Sequence, residues 1–238
     1  MERITYTATI ERIVEHDVDT RSLFLRLPAK TAFTFTPGQF ISVAIPLPNE
    51  NRVRPYTIAS SPGDDGPLEI VLDLVPGGAG SEYLFARTVG DRLNFTGPFG
   101  LFTLERPPDI ETIFAAEATA IAPIRPMLHR ALAQPSTVPL KLFHAARTRK
   151  ELLYADEFQA TARRYANFSY EPILAQPPAG WSGRSGTVME HIRALFVDGD
   201  ARRDRAFYLC GVGNGVIELR DLLRKAGYPR RAVQYERW

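Results

Sequence analysis

The hydrophobic periodicity of this chain changes once, near residue 106, and the change places two architectures in series. Before it come short runs: 5–14 and 22–27 alternate polar and apolar residues, and 40–45, 53–59, 68–74 and 92–95 follow. Proline or glycine lies between most of them, the pattern of short strands in an antiparallel barrel or sandwich. One helix interrupts them over 81–87, with Ser81 placed as its N-cap. After Arg106-Pro107-Pro108-Asp109, strand and helix signals alternate. Strands are predicted at 112–116, 139–145, 168–173, 206–210 and 232–235. Helices are predicted at 122–132, 150–162, 188–196 and 215–226. Such alternation predicts a doubly wound α/β domain around a parallel sheet. The expected division is an antiparallel β-barrel over 1–106 and a nucleotide-binding α/β domain over 107–238.

Composition narrows the function classes. A net charge of only +2 argues against nucleic acid as the main partner. The single cysteine, Cys210, rules out a disulfide framework and a cysteine-ligated iron–sulfur cluster within this chain. The first fifteen residues lack the apolar run of a signal peptide, and no window is long and apolar enough to span a bilayer. A cytoplasmic protein without a membrane partner is the expectation. Four scattered histidines, His16, His129, His144 and His191, show no metal-ligand spacing and read as structural or exposed, so no metal site is expected.

Two motifs in the first half suit a flat, phosphorylated ligand. In Arg54-Pro55-Tyr56-Thr57, Arg54 offers a planar fork for phosphate. Tyr56 shares its strand face and can lay a ring on a heterocycle, while Thr57 points the other way with a small hydroxyl. In Pro76-Gly77-Gly78-Ala79-Gly80-Ser81, small residues allow close backbone approach before a helix N-terminus. Together with Gly97-Pro98-Phe99-Gly100 and Pro37-Gly38-Gln39-Phe40, these motifs follow the order and spacing of the ferredoxin–NADP reductase family, which the whole chain resembles.

That resemblance implies a flavin, FAD by family habit with FMN open. It implies that Arg54 holds the pyrophosphate and that Pro55 is among the flavin-binding residues. Tyr56 would pack on the ring system or ribityl chain, Thr57 would bond near N5, and Gly78, Gly80 and Ser81 would meet the phosphates. It also gives Cys210 a place beside the nicotinamide. The ending Glu236-Arg237-Trp238 matches the family's Glu-x-aromatic, whose ring stacks on the flavin. Thr57, Cys210, Glu236 and Trp238 form the implied catalytic set.

The second half departs from the family at one turn. The usual Gly-Gly-Thr-Gly-Ile-Ala-Pro reads here Glu117-Ala118-Thr119-Ala120-Ile121-Ala122-Pro123. Thr119 is retained as a nucleotide contact, but all three glycines are gone. Alanine disfavours positive φ. At about 5 Å and an effective dielectric of about 20, Glu117 would repel a phosphate by about 3 kcal/mol, roughly a hundredfold in affinity. The turn after Cys210 also differs, reading Gly211-Val212-Gly213-Asn214-Gly215. The basic run Arg147-Thr148-Arg149-Lys150 would suit a 2′-phosphate, with Arg147 as the contact, or be a solvated helix start.

The resemblance therefore implies a reductase that moves electrons between NADPH or NADH and a one-electron carrier such as ferredoxin or flavodoxin. Glu117 keeps open an electron-transfer subunit with a degenerate nucleotide site, reduced by a partner protein. A module without catalysis is a third reading, opposed by the intact flavin motifs.

Overall fold

The computed structural model describes residues 4–47, 50–63 and 65–238, with the side chains of 50 and 51 excluded. Residues 1–3 of the N-terminal stretch considered above lie outside this set. Two compact units are present, Met1–Glu105 with Arg125–His129, and Arg106–Ile124 with Arg130–Trp238.

The first unit contains β1 (Thr5–Asp17), β2 (Thr20–Arg26), β3 (Phe40–Leu47), β4 (Glu50–Thr57), β5 (Leu68–Asp73) and β6 (Arg92–Phe99). They form one antiparallel sheet in the order β4-β3-β6-β1-β2-β5. An antiparallel bridge between Ile58 and Ile70 joins the two edges, closing the sheet. In β3, Ile41, Val43 and Ile45 alternate inward and are fully buried, as period-2 geometry requires. They meet Ile10, Leu23, Leu25, Ile70 and Phe95 in one apolar core.

A buried polar chain crosses this unit. The Ser22 hydroxyl donates to Glu69 Oε1 at 2.8 Å and accepts from His16 Nε2 at 2.8 Å. Arg125 Nη1 donates to Glu69 Oε2 and to the Ala59 carbonyl, both at 2.9 Å. Glu69 is 4% exposed, so these donors replace the water its carboxylate loses.

The second unit has β7 (Thr112–Glu117), β8 (Leu140–Ala146), β9 (Phe168–Leu174), β10 (Arg184–Ser185), β11 (Ala206–Gly211) and β12 (Val233–Arg237). The sheet is parallel, in the order β10-β9-β8-β7-β11-β12. Its central strands are apolar on both sides, because helices can cover both faces: in β7, Thr112 through Ala116 are all buried. The helices of this unit are α2 (Ile124–Leu132, shared with the first unit), α3 (Ala155–Arg164), α4 (Val188–Arg193) and α5 (Gly215–Lys225).

Several element starts differ from the sequence expectations. The helix of the first unit, α1, spans Ala79–Phe85 with Gly78 as N-cap, so Ser81 lies inside it. A 3-10 turn over Ala118–Ile121 precedes α2, which begins at Ile124. The expected helix from 150 is split: a 3-10 turn occupies Arg149–Glu151, and Tyr154, at φ +58°, starts α3. The Gly97-Pro98-Phe99 segment forms the end of β6, with Gly100 at φ +106° after it. β10 is two residues long and carries no periodicity to read. No helix of the described residues is long and apolar enough to cross a membrane.

Candidate functional site

In the first unit, Gly80 draws the two flavin motifs together. A Cβ built on Gly80 would lie 2.7 Å from Arg54 Cγ and 2.9 Å from the Tyr56 hydroxyl oxygen. Only hydrogen at that position lets α1 approach β4 so closely. Gly78 is similarly confined, since its Cβ would lie 2.8 Å from the Val75 carbonyl oxygen. Arg54 and Pro55 are exposed, Tyr56 is half-buried and Thr57 is buried. The guanidinium of Arg54 donates to the Val53 carbonyl at 3.0 Å and makes no ion pair among the described residues. Burial pushes the Tyr56 phenol up to about 12, so it is a neutral donor.

Ser81 is differently engaged. Its hydroxyl accepts from Val75 N–H at 3.0 Å and donates toward the Val75 and Gly78 carbonyls at 3.2 and 3.0 Å. The side chain secures the glycine-rich turn. An exposed arginine, a half-buried phenol and a glycine cradle that a methyl group would fill are the chemistry a flavin phosphate and its attached ring system require.

The second unit carries its site at the carboxyl edge of the sheet. The order of strand addition reverses between the parallel neighbours β7 and β11, and ligands bind outside such a reversal point. A crevice of about 200 Å³ opens there, bordered by Glu117, Thr187, Cys210, Gly211, Gly215 and Val216. Cys210 is register partner to Ala116 of β7 on one side and to Glu236 of β12 on the other. Trp238 is tied down: its N–H donates to Gly211 O at 3.1 Å, and its carbonyl accepts from Gly213 N–H at 3.2 Å. Its indole Nε1 donates to Glu236 Oε2 at 3.2 Å, and the residue keeps 40% exposure. Three of the four implied catalytic residues, Cys210, Glu236 and Trp238, are thus brought together, while Thr57 belongs to the first unit.

Electrostatics in this cluster favour neutral forms. Burial, then the carboxylates of Glu236 and Glu117, push the Cys210 thiol well up. Burial also raises Glu117 and Glu236, with the Trp238 hydrogen bond partly opposing the shift at Glu236. Cys210 is therefore a thiol, and its reactivity as a nucleophile is suppressed.

The Glu117–Ala120 turn keeps the shape that glycine would give it. Ala118 sits at φ +45°, in the left-handed region, although it carries a Cβ. Thr119 is buried within the turn. Glu117 reaches Gly211, whose Cβ, if present, would lie 3.6 Å from Glu117 Oε2. Arg147 is not a free cation: its backbone N–H and Nε donate to Glu151 at 3.1 and 3.2 Å. Glu151 is the acid that the basic-run reading left out. His144, read from sequence as structural or exposed, is fully buried behind the turn, with Nε2 3.3 Å from the Ala118 carbonyl. The available signal was its position, a titratable residue between the apolar pairs Leu142-Phe143 and Ala145-Ala146.

Comparisons with known proteins place both halves of the chain in one family. The oxidoreductase FAD-binding domain family matches residues 7–104, and the oxidoreductase NAD-binding domain family matches 116–218. Ferredoxin–NADP reductase B of Sorangium cellulosum (strain So ce56) is 35% identical over 87% of this chain and 86% of its own length. The glycine betaine monooxygenase reductase subunit of Pseudomonas aeruginosa (strain UCBPP-PA14) is 28% identical over 91% of this chain, which spans 60% of that relative. The structure of a Neisseria gonorrhoeae ferredoxin NADP+ reductase with bound FAD and NADP shares the fold, with TM-score 0.84 and 20% identity over 99% of both chains. The chain belongs to the ferredoxin–NADP reductase-like family, electron-transferring oxidoreductases with an FAD-binding and an NAD(P)-binding domain.

Proposed function

We propose that residues 1–106 hold FAD and residues 107–238 hold NADPH, and that the chain passes reducing equivalents from the nicotinamide nucleotide to a ferredoxin- or flavodoxin-type carrier. The bound flavin supplies the exchange between two-electron and one-electron chemistry. This chain's residues supply binding, orientation and proton control. Arg54 and Tyr56 would hold and cover the flavin beside Gly80, with Pro55 fixing the strand between them. Gly78 and Ser81 would shape the turn that meets its phosphates, and Thr57 would bond at the ring edge. The 3-10 turn with Thr119 would receive the nucleotide pyrophosphate. The basic run at Arg147 would favour the 2′-phosphate of NADPH over NADH; Glu151 tempers that preference.

The observation that carries this reading is the alignment of Cys210, Glu236 and Trp238 at the reversal point of a parallel sheet. There the neutral thiol of Cys210 borders the crevice, and its register partner Glu236 carries a carboxyl of raised proton affinity. A thiol packs against a nicotinamide without adding charge, and a carboxyl in its protonated form can hold a proton near the reacting ring. The indole of Trp238 offers a flat face for a flavin ring. Partners of the relatives include oxygenase systems as well as ferredoxin, so an electron-accepting redox protein is the common requirement.

The experiment is NADPH-driven reduction of added ferredoxin or flavodoxin by the FAD-loaded chain. Reduction of the carrier that depends on both flavin and NADPH supports the proposal. A second reading is favoured by Glu117, a carboxylate at the crevice where a dianionic ligand must sit. On it, the chain is a flavin electron-transfer subunit reduced by a partner protein, and NADPH leaves the flavin oxidised.

A further inference from the structure

β8, Leu140–Ala146, carries a histidine within its continuously buried stretch Leu142–Ala146. Its ring is fully buried, edge-on to Phe158 at 6.3 Å between centroids and tilted against Tyr170 at 6.4 Å. Nε2 lies 3.3 Å from the carbonyl oxygen of Ala118, and Nδ1 reaches no partner among the described residues. A carbonyl can only accept, so the proton of the neutral ring sits on Nε2 and Nδ1 is a bare lone pair. Leaving one ring nitrogen unpaired in the core costs stability, so an apolar residue of similar size would pack there without that penalty.

The other end of the hydrogen bond explains why an imidazole is there. Ala118 opens the 3-10 turn over Ala118–Ile121 at φ +45°. A Cβ opposes that conformation, and nothing in the local sequence supplies the freedom of glycine. A bend kept with the wrong residue must be held from outside.

We propose that His144 is a positioning residue for the nucleotide site: its Nε2–H holds the Ala118 carbonyl and so keeps the Glu117–Ile121 turn in the left-handed bend that faces the crevice. The proposal rests on the reading of that crevice as the nucleotide site. It extends that reading by assigning to a side chain on the neighbouring strand the task that glycine performs in the family pattern.

The test is a double-mutant cycle between positions 144 and 118 in the flavin-loaded full chain, read by NADP+ affinity and by Tm. H144F removes the donor and keeps an aromatic ring. It is expected to weaken NADP+ binding by about tenfold, the scale of one lost buried hydrogen bond, and to lower Tm without changing flavin content. H144Q keeps an N–H donor and should recover most of the loss. In the A118G background the turn no longer needs holding, and H144F should then weaken binding by no more than about twofold. Equal losses in the two backgrounds, or no loss from H144F, would overturn the proposal. If H144F does not fold, H144N, whose shorter side chain cannot reach the carbonyl, takes its place in the cycle. If the wild-type chain binds no NADP+, the nucleotide reading fails. The Tm cycle then still decides whether positions 144 and 118 are coupled: coupling supports the positioning role, and additivity overturns it.

Discussion

Cys210 and Glu236 face each other as register partners on neighbouring parallel strands, β11 and β12. Burial favours the protonated state of both, and the Glu236 carboxylate further disfavours the Cys210 thiolate. E236Q is therefore expected to slow NADPH-driven flavin reduction by up to about a hundredfold while leaving flavin content unchanged. In the wild type, the rate should fall as pH rises through the raised Glu236 value, where the carboxyl loses its proton. Stopped-flow reduction across pH checks both: a wild-type profile flat in pH, or unchanged by E236Q, would remove Glu236 from proton control.

Glu117 gives a second pH dependence of the same sign. Burial raises its proton affinity, so folding favours the neutral form more than the unfolded chain does. A neutral carboxyl tolerates a nearby phosphate, and a carboxylate repels it. NADP+ affinity should therefore decline as pH rises through the raised Glu117 value. E117Q should strengthen binding above that pH, by up to roughly a hundredfold if the repulsion is unrelieved. An acid with a raised folded value stabilises the fold below its unfolded pKa and loses that contribution as pH rises through the folded one. E117Q should thus also raise Tm at neutral pH. Isothermal titration and thermal melts at two pH values read both effects.

Gly80 should be the most sensitive position for flavin retention. A methyl group there would meet Arg54 Cγ at 2.7 Å and the Tyr56 hydroxyl at 2.9 Å. G80A should displace both side chains and yield protein that purifies largely without flavin. R54A should lower flavin affinity by about tenfold to a hundredfold, as loss of one charge-assisted phosphate contact does. Flavin-to-protein absorbance ratios report both; full flavin content in G80A would show that the cradle is elsewhere.

His144 sets an acid limit on stability. Burial lowers its value to about 4, against about 6.5 in the unfolded chain. Below pH 6.5 the unfolded state takes up a proton that the folded state refuses. Stability should decline from about pH 6.5 down to about pH 4, by up to about 3 kcal/mol from this group. Urea unfolding of wild type and H144F at pH 7 and pH 5 checks it: the variant should lose less stability on acidification.

A118G should stabilise the chain by up to about 1 kcal/mol, since relief of a left-handed alanine exceeds the entropy glycine adds to the unfolded state. A lower Tm for A118G would mean that the bend carries no strain.

The two architectures were legible because their periods differ: Ile41, Val43 and Ile45 alternate in β3, whereas Thr112 to Ala116 in β7 are buried throughout. The carboxyl-edge cluster was legible through the resemblance, because Cys210, Glu236 and Trp238 each match a residue type at a chain position. What escaped depends on side-chain contacts that hydrophobic periodicity does not encode. The Ser81 hydroxyl reads as an N-cap from its neighbours, yet Val75 and Gly78 claim it. Arg147 reads as a free cation until Glu151, four residues on, pairs with it. Ala118 reads as a lost glycine, because the bond from His144 spans 26 residues. That same distance hid His144 among the scattered histidines.

Anaerobic mixing of the FAD-loaded chain with NADPH tests the central claim most directly. Bleaching of the oxidised flavin band in proportion to NADPH added is the expected result. A flavin that stays oxidised in excess NADPH and NADH, yet bleaches with dithionite, would contradict it and would leave the chain a flavin carrier fed by another protein.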